Sequence, residues 1–158
     1  MTSFNWHVQL YDGMSDIQTK SIARRFIEEI FNEGKIEEAK KFVTSDIIYH
    51  GVFQEVRGLE DFKKWMEEDR NSFPDMQVTI VDDFGEQNKV AVRWTLKGTH
   101  EKDFAGFSAS HEKFETHGAD IFHFENDKIK EVWTMFDALT PALELGIVEK
   151  VEPGQSKK

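Results

Sequence analysis

Asp120 lies in a setting where a carboxylate is costly to keep charged. Asn126 and Asp127 both tolerate positive φ and make a hairpin turn, which sets a register for the strands on either side. Glu125 then faces Lys128, Phe124 faces Ile129, Phe122 faces Glu131, and Asp120 faces Trp133. Two-residue alternation gathers Gly118, Asp120, Phe122 and Phe124 with Ile129, Glu131, Trp133 and Met135 on one side. Ile121, His123, Lys130, Val132 and Thr134 fall on the other. The first set holds more large aromatics and is expected to face a concave pocket. Asp120 is thereby placed on an apolar wall, against an indole. Desolvation disfavours its charged form and raises its pKa, as an acid or base working near neutral pH requires. The plainer alternative is a buried carboxylate satisfied by a backbone amide or a hydroxyl. Glu131, its diagonal neighbour, either shares a proton with it or marks the wetter end of the sheet.

The six histidines are His7, His50, His100, His111, His117 and His123. They form no HxH or HxxxH spacing and no His–carboxylate helix motif, so no metal site is expected. His100 continues the inward parity of Val92, Trp94 and Leu96, and His50 closes the first strand. Both are expected near a pocket mouth, whereas His123 points outward with Lys130. The expected site is therefore Asp120 with His100, lined by His50, Trp65, Trp94, Phe122, Glu131 and Trp133. No G-x-S-x-G, P-loop or G-x-G-x-x-G occurs, which removes the usual hydrolase, nucleotide and dinucleotide readings.

These residues need elements to hold them. Ser15 and Asp16 are N-cap candidates for a first helix, with Ile22, Phe26 and Ile30 on its apolar stripe and Gly34 at its end. A shorter helix presents Ile36, Ala39, Phe42 and Val43, and a strand follows over Asp46 to Phe53. Gly58 precedes a third helix that buries Leu59, Phe62, Trp65 and Met66, and Pro74 stops it. From Met76 the apolar period changes from about 3.6 to 2. Strands are expected over Met76 to Ile80, Val90 to Leu96, Lys113 to Phe124 and Ile129 to Phe136, with a closing helical turn ended by Gly146. Helices first and strands afterwards give an α+β layout: a strongly curved antiparallel sheet, cone-shaped, packed on three N-terminal helices. The interior of such a cone is an ordinary place for a ligand.

At 158 residues the chain is expected to be one domain. Residues 1–15 read as an N-terminal extension, 16–148 as the α+β unit and 149–158 as a flexible tail. The apolar share is 39 %, with 14 Phe and 4 Trp, enough for a core and for a lined cavity. A net charge of −10 with no basic stripe opposes nucleic acid and anionic membrane surfaces. No run reaches the roughly 18 apolar residues of a membrane span. Met1 to Tyr11 lack the cationic start and apolar stretch of a signal peptide, so a cytoplasmic location is expected. With no cysteine there is neither a disulfide nor a thiolate nucleophile. Ile121, Val132 and Phe136 are expected on the outer sheet face, rimmed by Arg93 and Lys97. A homodimer or homotetramer through that face follows.

Several segments together resemble a known family. Arg57-Gly58-Leu59, Asn71-Ser72-Phe73-Pro74-Asp75-Met76, Val90-Ala91-Val92-Arg93-Trp94 and Gly98-Thr99-His100 fall in the order seen in SnoaL-like polyketide (ester) cyclases. Gly118-Ala119-Asp120-Ile121-Phe122, Lys128-Ile129-Lys130-Glu131-Val132-Trp133, Asp137-Ala138-Leu139 and Leu145-Gly146 continue the match, over roughly Ile17 to Val148. The resemblance implies a nuclear-transport-factor-2-like (cystatin-like) fold. It also implies an intramolecular aldol condensation on a hydrophobic polyketide-like substrate, with no cofactor and with Asp120 as acid/base. His100 or His50 would be the donor to the enolate. Two features depart from the family. The usual Asp-Gly of the last turn reads Asn126-Asp127, and Gly106-Phe107-Ser108-Ala109-Ser110-His111 replaces a Gly-rich, proline-bearing loop. The competing reading is a non-catalytic small-molecule binding domain of the same fold. An epoxide hydrolase would want an Asp–Arg–Asp set, and the outward parity of Arg93 opposes it.

Overall fold

Ser15 caps the first helix. In the structure, a computed structural model that describes residues 15–148, its hydroxyl accepts from the Gln18 N–H at 3.3 Å. The Gln18 side chain returns to the Ser15 N–H at 3.0 Å, and the pair forms a capping box. The expected extension before Ser15 and the expected tail over 149–158 lie outside the described residues. Helix α1 (Asp16–Phe26) buries Thr19, Ala23 and Phe26, then widens into a π-helical turn over Ile27–Asn32. Asn32 clamps that turn to the sheet. Its amide donates to the Val78 carbonyl at 2.9 Å and accepts from the Val78 N–H at 2.7 Å. Gly34 reverses the chain at φ 69°. The expected short helix is a 3₁₀ turn over Ile36–Lys41, and Val43 already belongs to the first strand.

The strands are β1 (Val43–His50), β2 (Glu55–Arg57), β3 (Gln77–Glu86), β4 (Lys89–Thr99), β5 (Lys113–Glu125) and β6 (Lys128–Phe136). Helix α2 (Leu59–Ser72) joins β2 to β3, and α3 (Leu139–Glu144) follows β6. They form one sheet in the order β2-β1-β6-β5-β4-β3, an α+β architecture. One pairing corrects the expectation of an antiparallel sheet: β1 runs parallel to β6, with Tyr49 beside Val132 and His50 beside Trp133. The cause is connectivity. Strand β6 enters between β1 and β5, so it is antiparallel to one neighbour and parallel to the other. The short strand β2 was also not anticipated. Among the described residues no helix is long and apolar enough to cross a membrane.

Phe26 of α1 joins the layers. Its ring lies 5.9 Å from Phe62 of α2, 6.0 Å from Phe122 of β5 and 6.1 Å from Phe42. Edge-to-face and offset contacts at such spacings add to the burial of area. Gly118 sets a second close contact, because the Trp94 indole crosses the strand there. A Cβ at that position would press on the Met135 carbonyl oxygen and lie 2.7 Å from both Phe136 Cβ and Trp94 Cη2. Gly118→Ala is therefore expected to cost about 1–3 kcal/mol by overpacking. It should also shift the Trp94 emission, and thermal melts followed by tryptophan fluorescence check both. An unchanged melt and spectrum would mean that the strand yields at no cost.

Candidate active site

Between α2 and the inner face of the sheet lies a cavity of about 900 Å³. Its mouth is rimmed by the β1–β2 turn with Val52 and Phe53, by the β4–β5 excursion with Phe104 and Phe107, and by the segment around α3. The excursion folds back on itself, Phe104 pairing with Phe107 through residues of positive φ at Ala105 and Gly106. It is the stretch where the sequence departs from the usual family loop.

Asp120 stands on the sheet wall, 5 % exposed. Thr134 donates to its Oδ1 at 2.8 Å, and the Thr134 and Tyr49 hydroxyls are 2.7 Å apart. Thr134 has a single hydroxyl proton, so donation to Asp120 leaves Tyr49 donating to Thr134. Burial raises the Tyr49 pKa well above its ordinary value, and the Asp120 charge adds to this, so the phenol keeps that proton. Burial likewise pushes Asp120 up to about 6, against the lowering pull of Thr134 and of the Trp94 indole. The Trp94 N–H biases the carboxylate without reaching hydrogen-bond geometry, and it has no partner among the described residues. His100 is buried on the same cavity and stacks on Phe73 at 5.4 Å. Its Nδ1 lies 3.4 Å from Ser110 Oγ, while its Nε2 is buried without a partner among the described residues.

The structure thus brings Asp120, His100, Trp65 and Trp94 to one cavity. Phe122 is on the expected face but lies deeper, fully buried against Phe26, and is not among the residues lining this cavity. His50, Glu131 and Trp133 are on the opposite face. The register explains the last two. Phe124 does face Ile129, but His123 faces Glu131, Phe122 faces Val132 and Asp120 faces Thr134. Lys130 is a bulged extra residue, and one extra residue turns every later side chain to the other face. Its ammonium is held by Asp46. His50 faces outward because Ile47 and Tyr49 take the inward positions of β1.

On that outer face His50 stacks on Trp133 at 3.8 Å and bridges Glu131 at 2.8 Å and Glu55 at 2.7 Å. Glu131 is on the opposite face of the sheet from Asp120, so the two share no proton, and the His50 hydrogen bond holds the Glu131 carboxyl below its ordinary range. The same bulge corrects the expected outer patch. Val132 is core and Phe136 lines the cavity, while Trp133 and Met135 are the half-exposed residues outside. Among the described residues, no three His, Asp or Glu side chains are placed to hold a metal ion.

A family model for SnoaL-like polyketide cyclases matches residues 21–145. The chain belongs to this family. No curated protein sequence matches it. Solved structures similar to this SnoaL-like chain include AclR, a candidate hydroxylase from Streptomyces galilaeus. AclR is 24 % identical with a TM-score of 0.73, over 85 % of this chain and 100 % of that one. IdmH, a candidate polyketide cyclase from Streptomyces antibioticus, is 25 % identical with a TM-score of 0.70, over 82 % and 99 %. A candidate polyketide cyclase from Bacillus cereus is 26 % identical with a TM-score of 0.68, over 84 % and 83 %.

The cavity residues that were not anticipated include Tyr49, Thr134 and Asp69. Tyr49 was legible as the residue two after Ile47. Thr134 was hidden by the bulge. Asp69 follows Trp65 by four residues and Phe62 by seven, so it continues the buried stripe of α2 where an apolar residue is expected. Burial pushes its carboxyl up to about 7, with only the neighbouring Arg70 charge opposing.

Proposed function

We propose that this chain closes a ring by an intramolecular aldol-type step on a hydrophobic, polyketide-like carbonyl compound, with Asp120 moving the proton. One observation carries the reading: a buried carboxylate titrating near 6, aimed into an aromatic cavity and held through Thr134. A base in that range is ionised at neutral pH yet close enough in pKa to hand its proton back. Asp120 takes the proton from the carbon next to the carbonyl, and that carbon bonds to a second carbonyl carbon of the same molecule. The alkoxide so formed takes the proton back, which restores Asp120 and leaves no other product.

His100 is the candidate donor to the enolate oxygen. Ser110 donating to Nδ1 keeps the ring proton on Nε2, which is buried beside the cavity without a partner among the described residues. The Trp94 N–H is a second donor beside Asp120. The chemistry asks only for side chains already in the cavity.

Deuterium exchange at the α-carbon of an aryl 1,3-diketone in D₂O, followed by proton NMR, tests the reading without knowledge of the natural substrate. Exchange is expected above the buffer rate, rising with pH through about 6 and then levelling, because the ionised carboxylate is the active form. A diketone that binds but exchanges no faster than in buffer would overturn the reading and leave a binding domain.

A further inference from the structure

We propose that Asp69 is a second recognition point in the cavity, accepting a hydrogen bond from an O–H or N–H group carried by the ligand away from its reacting carbon. The inference rests on the cavity being the ligand site, as in the function proposed above, but not on turnover. Helix α2 keeps Glu60, Asp61 and Glu67 exposed away from the cavity, and Glu68 exposed at its edge. Asp69 instead shares the face of Phe62 and Trp65 and lines the cavity. Trp65 lies against Tyr49 with ring centroids 4.6 Å apart, and the Tyr49 phenol feels the Asp69 charge. The carboxylate is therefore set among rings.

No hydrogen bond or ion pair among the described residues ends on the Asp69 carboxylate. The neighbouring cation that opposes its shift is committed elsewhere: the Arg70 guanidinium donates to the carbonyls of Phe31 and, at 3.3 Å, Asn32. Asp120, by contrast, has Thr134 and behind it Tyr49. The two carboxylates also belong to different walls, one to α2 and one to β5. Once a ligand fills the cavity and displaces water from it, an acceptor with no protein donor among the described residues carries a penalty that a leucine at the same position would avoid. A donor on the ligand removes it, and a ligand lacking one leaves it in place. Discrimination of that kind, by a buried polar group left unpaired, is stronger than apolar fit supplies. The aromatic surroundings suit either a phenolic hydroxyl or an ammonium group.

Three compounds of one skeleton test this by quenching of tryptophan fluorescence: 2-naphthol, 2-(aminomethyl)naphthalene and 2-methoxynaphthalene. Wild type is expected to bind at least one donor-bearing compound about tenfold more tightly than the methyl ether, the worth of one charge-assisted bond. Asp69→Leu should bring all three within about twofold of one another. Asp69→Asn, which keeps the shape, should lose preference for the amine and retain part of that for the naphthol. Asp120→Asn should leave the preference intact. Equal binding of the three by wild type, as an ordered water on Asp69 would produce, overturns the proposal. So does failure of all three to bind, or a preference that survives Asp69→Leu. Because the readout is binding, α-carbon exchange can persist when this proposal fails, and can be absent when it succeeds.

Discussion

Asp120→Asn is expected to lower turnover by about 10²- to 10⁴-fold, the usual contribution of a positioned general base. Asparagine keeps the size of the side chain and an oxygen for the Thr134 hydroxyl, so the Thr134–Tyr49 arrangement has reason to survive. What it cannot do is accept a proton. The loss should therefore fall on kcat, while binding of an apolar ligand that makes no use of the carboxylate changes by about twofold or less. Single-turnover rates and fluorescence titrations on the same preparation separate the two quantities. Full turnover in the variant would remove Asp120 from the reaction. Weak binding together with weak turnover would instead mean that the substitution deformed the cavity.

The same variant is expected to be the more stable protein at pH 8. A carboxyl titrating near 6 in the fold and near 3.8 when unfolded favours the protonated form in the folded state. Below about pH 4 both states are protonated and there is no penalty. As pH rises, the unfolded chain ionises first. Stability falls through this window and levels above about 6, by then lower on the order of 3 kcal/mol. Asp69, titrating near 7, extends the decline to higher pH. Carboxylates held below their ordinary range, such as Asp75 bonded to Thr99 and Asp137 bonded to Thr140, act in the opposite sense and lose their contribution in acid. The wild-type melting temperature should therefore peak near pH 5 and decline towards pH 8. Asp120→Asn should raise the pH 8 value by about 6–12 °C, given about 2–4 °C per kcal/mol for a chain of this size. Calorimetry at both pH values checks this. A flat wild-type profile, or a variant less stable at both, would contradict the account of a desolvated carboxylate. Lost activity joined to gained stability is the pattern of a site held in an unfavourable state for the sake of its chemistry.

How much of this could be read from the residues depended on whether a rule was local. The Ser15 cap, the stop at Pro74, the inward parity of Val92, Trp94 and His100, and the Asn126-Asp127 turn each follow from a few adjacent positions, and the structure has them. Asp120 was legible because strand alternation and aromatic content agree at that point. The failures on β6 have one origin. Alternation was carried through Lys130, and nothing adjacent to Lys130 announces a bulge. Asp46, which holds the Lys130 ammonium, lies on a strand 84 positions away. That single slip exchanged Glu131 and Trp133 for Val132 and Thr134. Asp69 was missed for a different reason: helical period placed it inside, and its charge made it look like another solvated acid of a charged helix.

The position of β6 between β1 and β5 has a consequence for how the chain becomes a folded protein. Strands β3, β4 and β5 are successive antiparallel neighbours, able to pair soon after each is synthesised. Strand β1 must wait with one edge open until residues 128–136 have been made, and the edge of β5 must wait with it. The Tyr49–Thr134 contact closes a loop of 85 residues. Long-range closure of this kind is slow, and open strand edges are where nascent chains misassociate. The base, its hydroxyl support and the two halves of the sheet are thus completed in one late event. A nascent chain that has not reached β6 has no tuned aspartate to misuse and two sticky edges to protect.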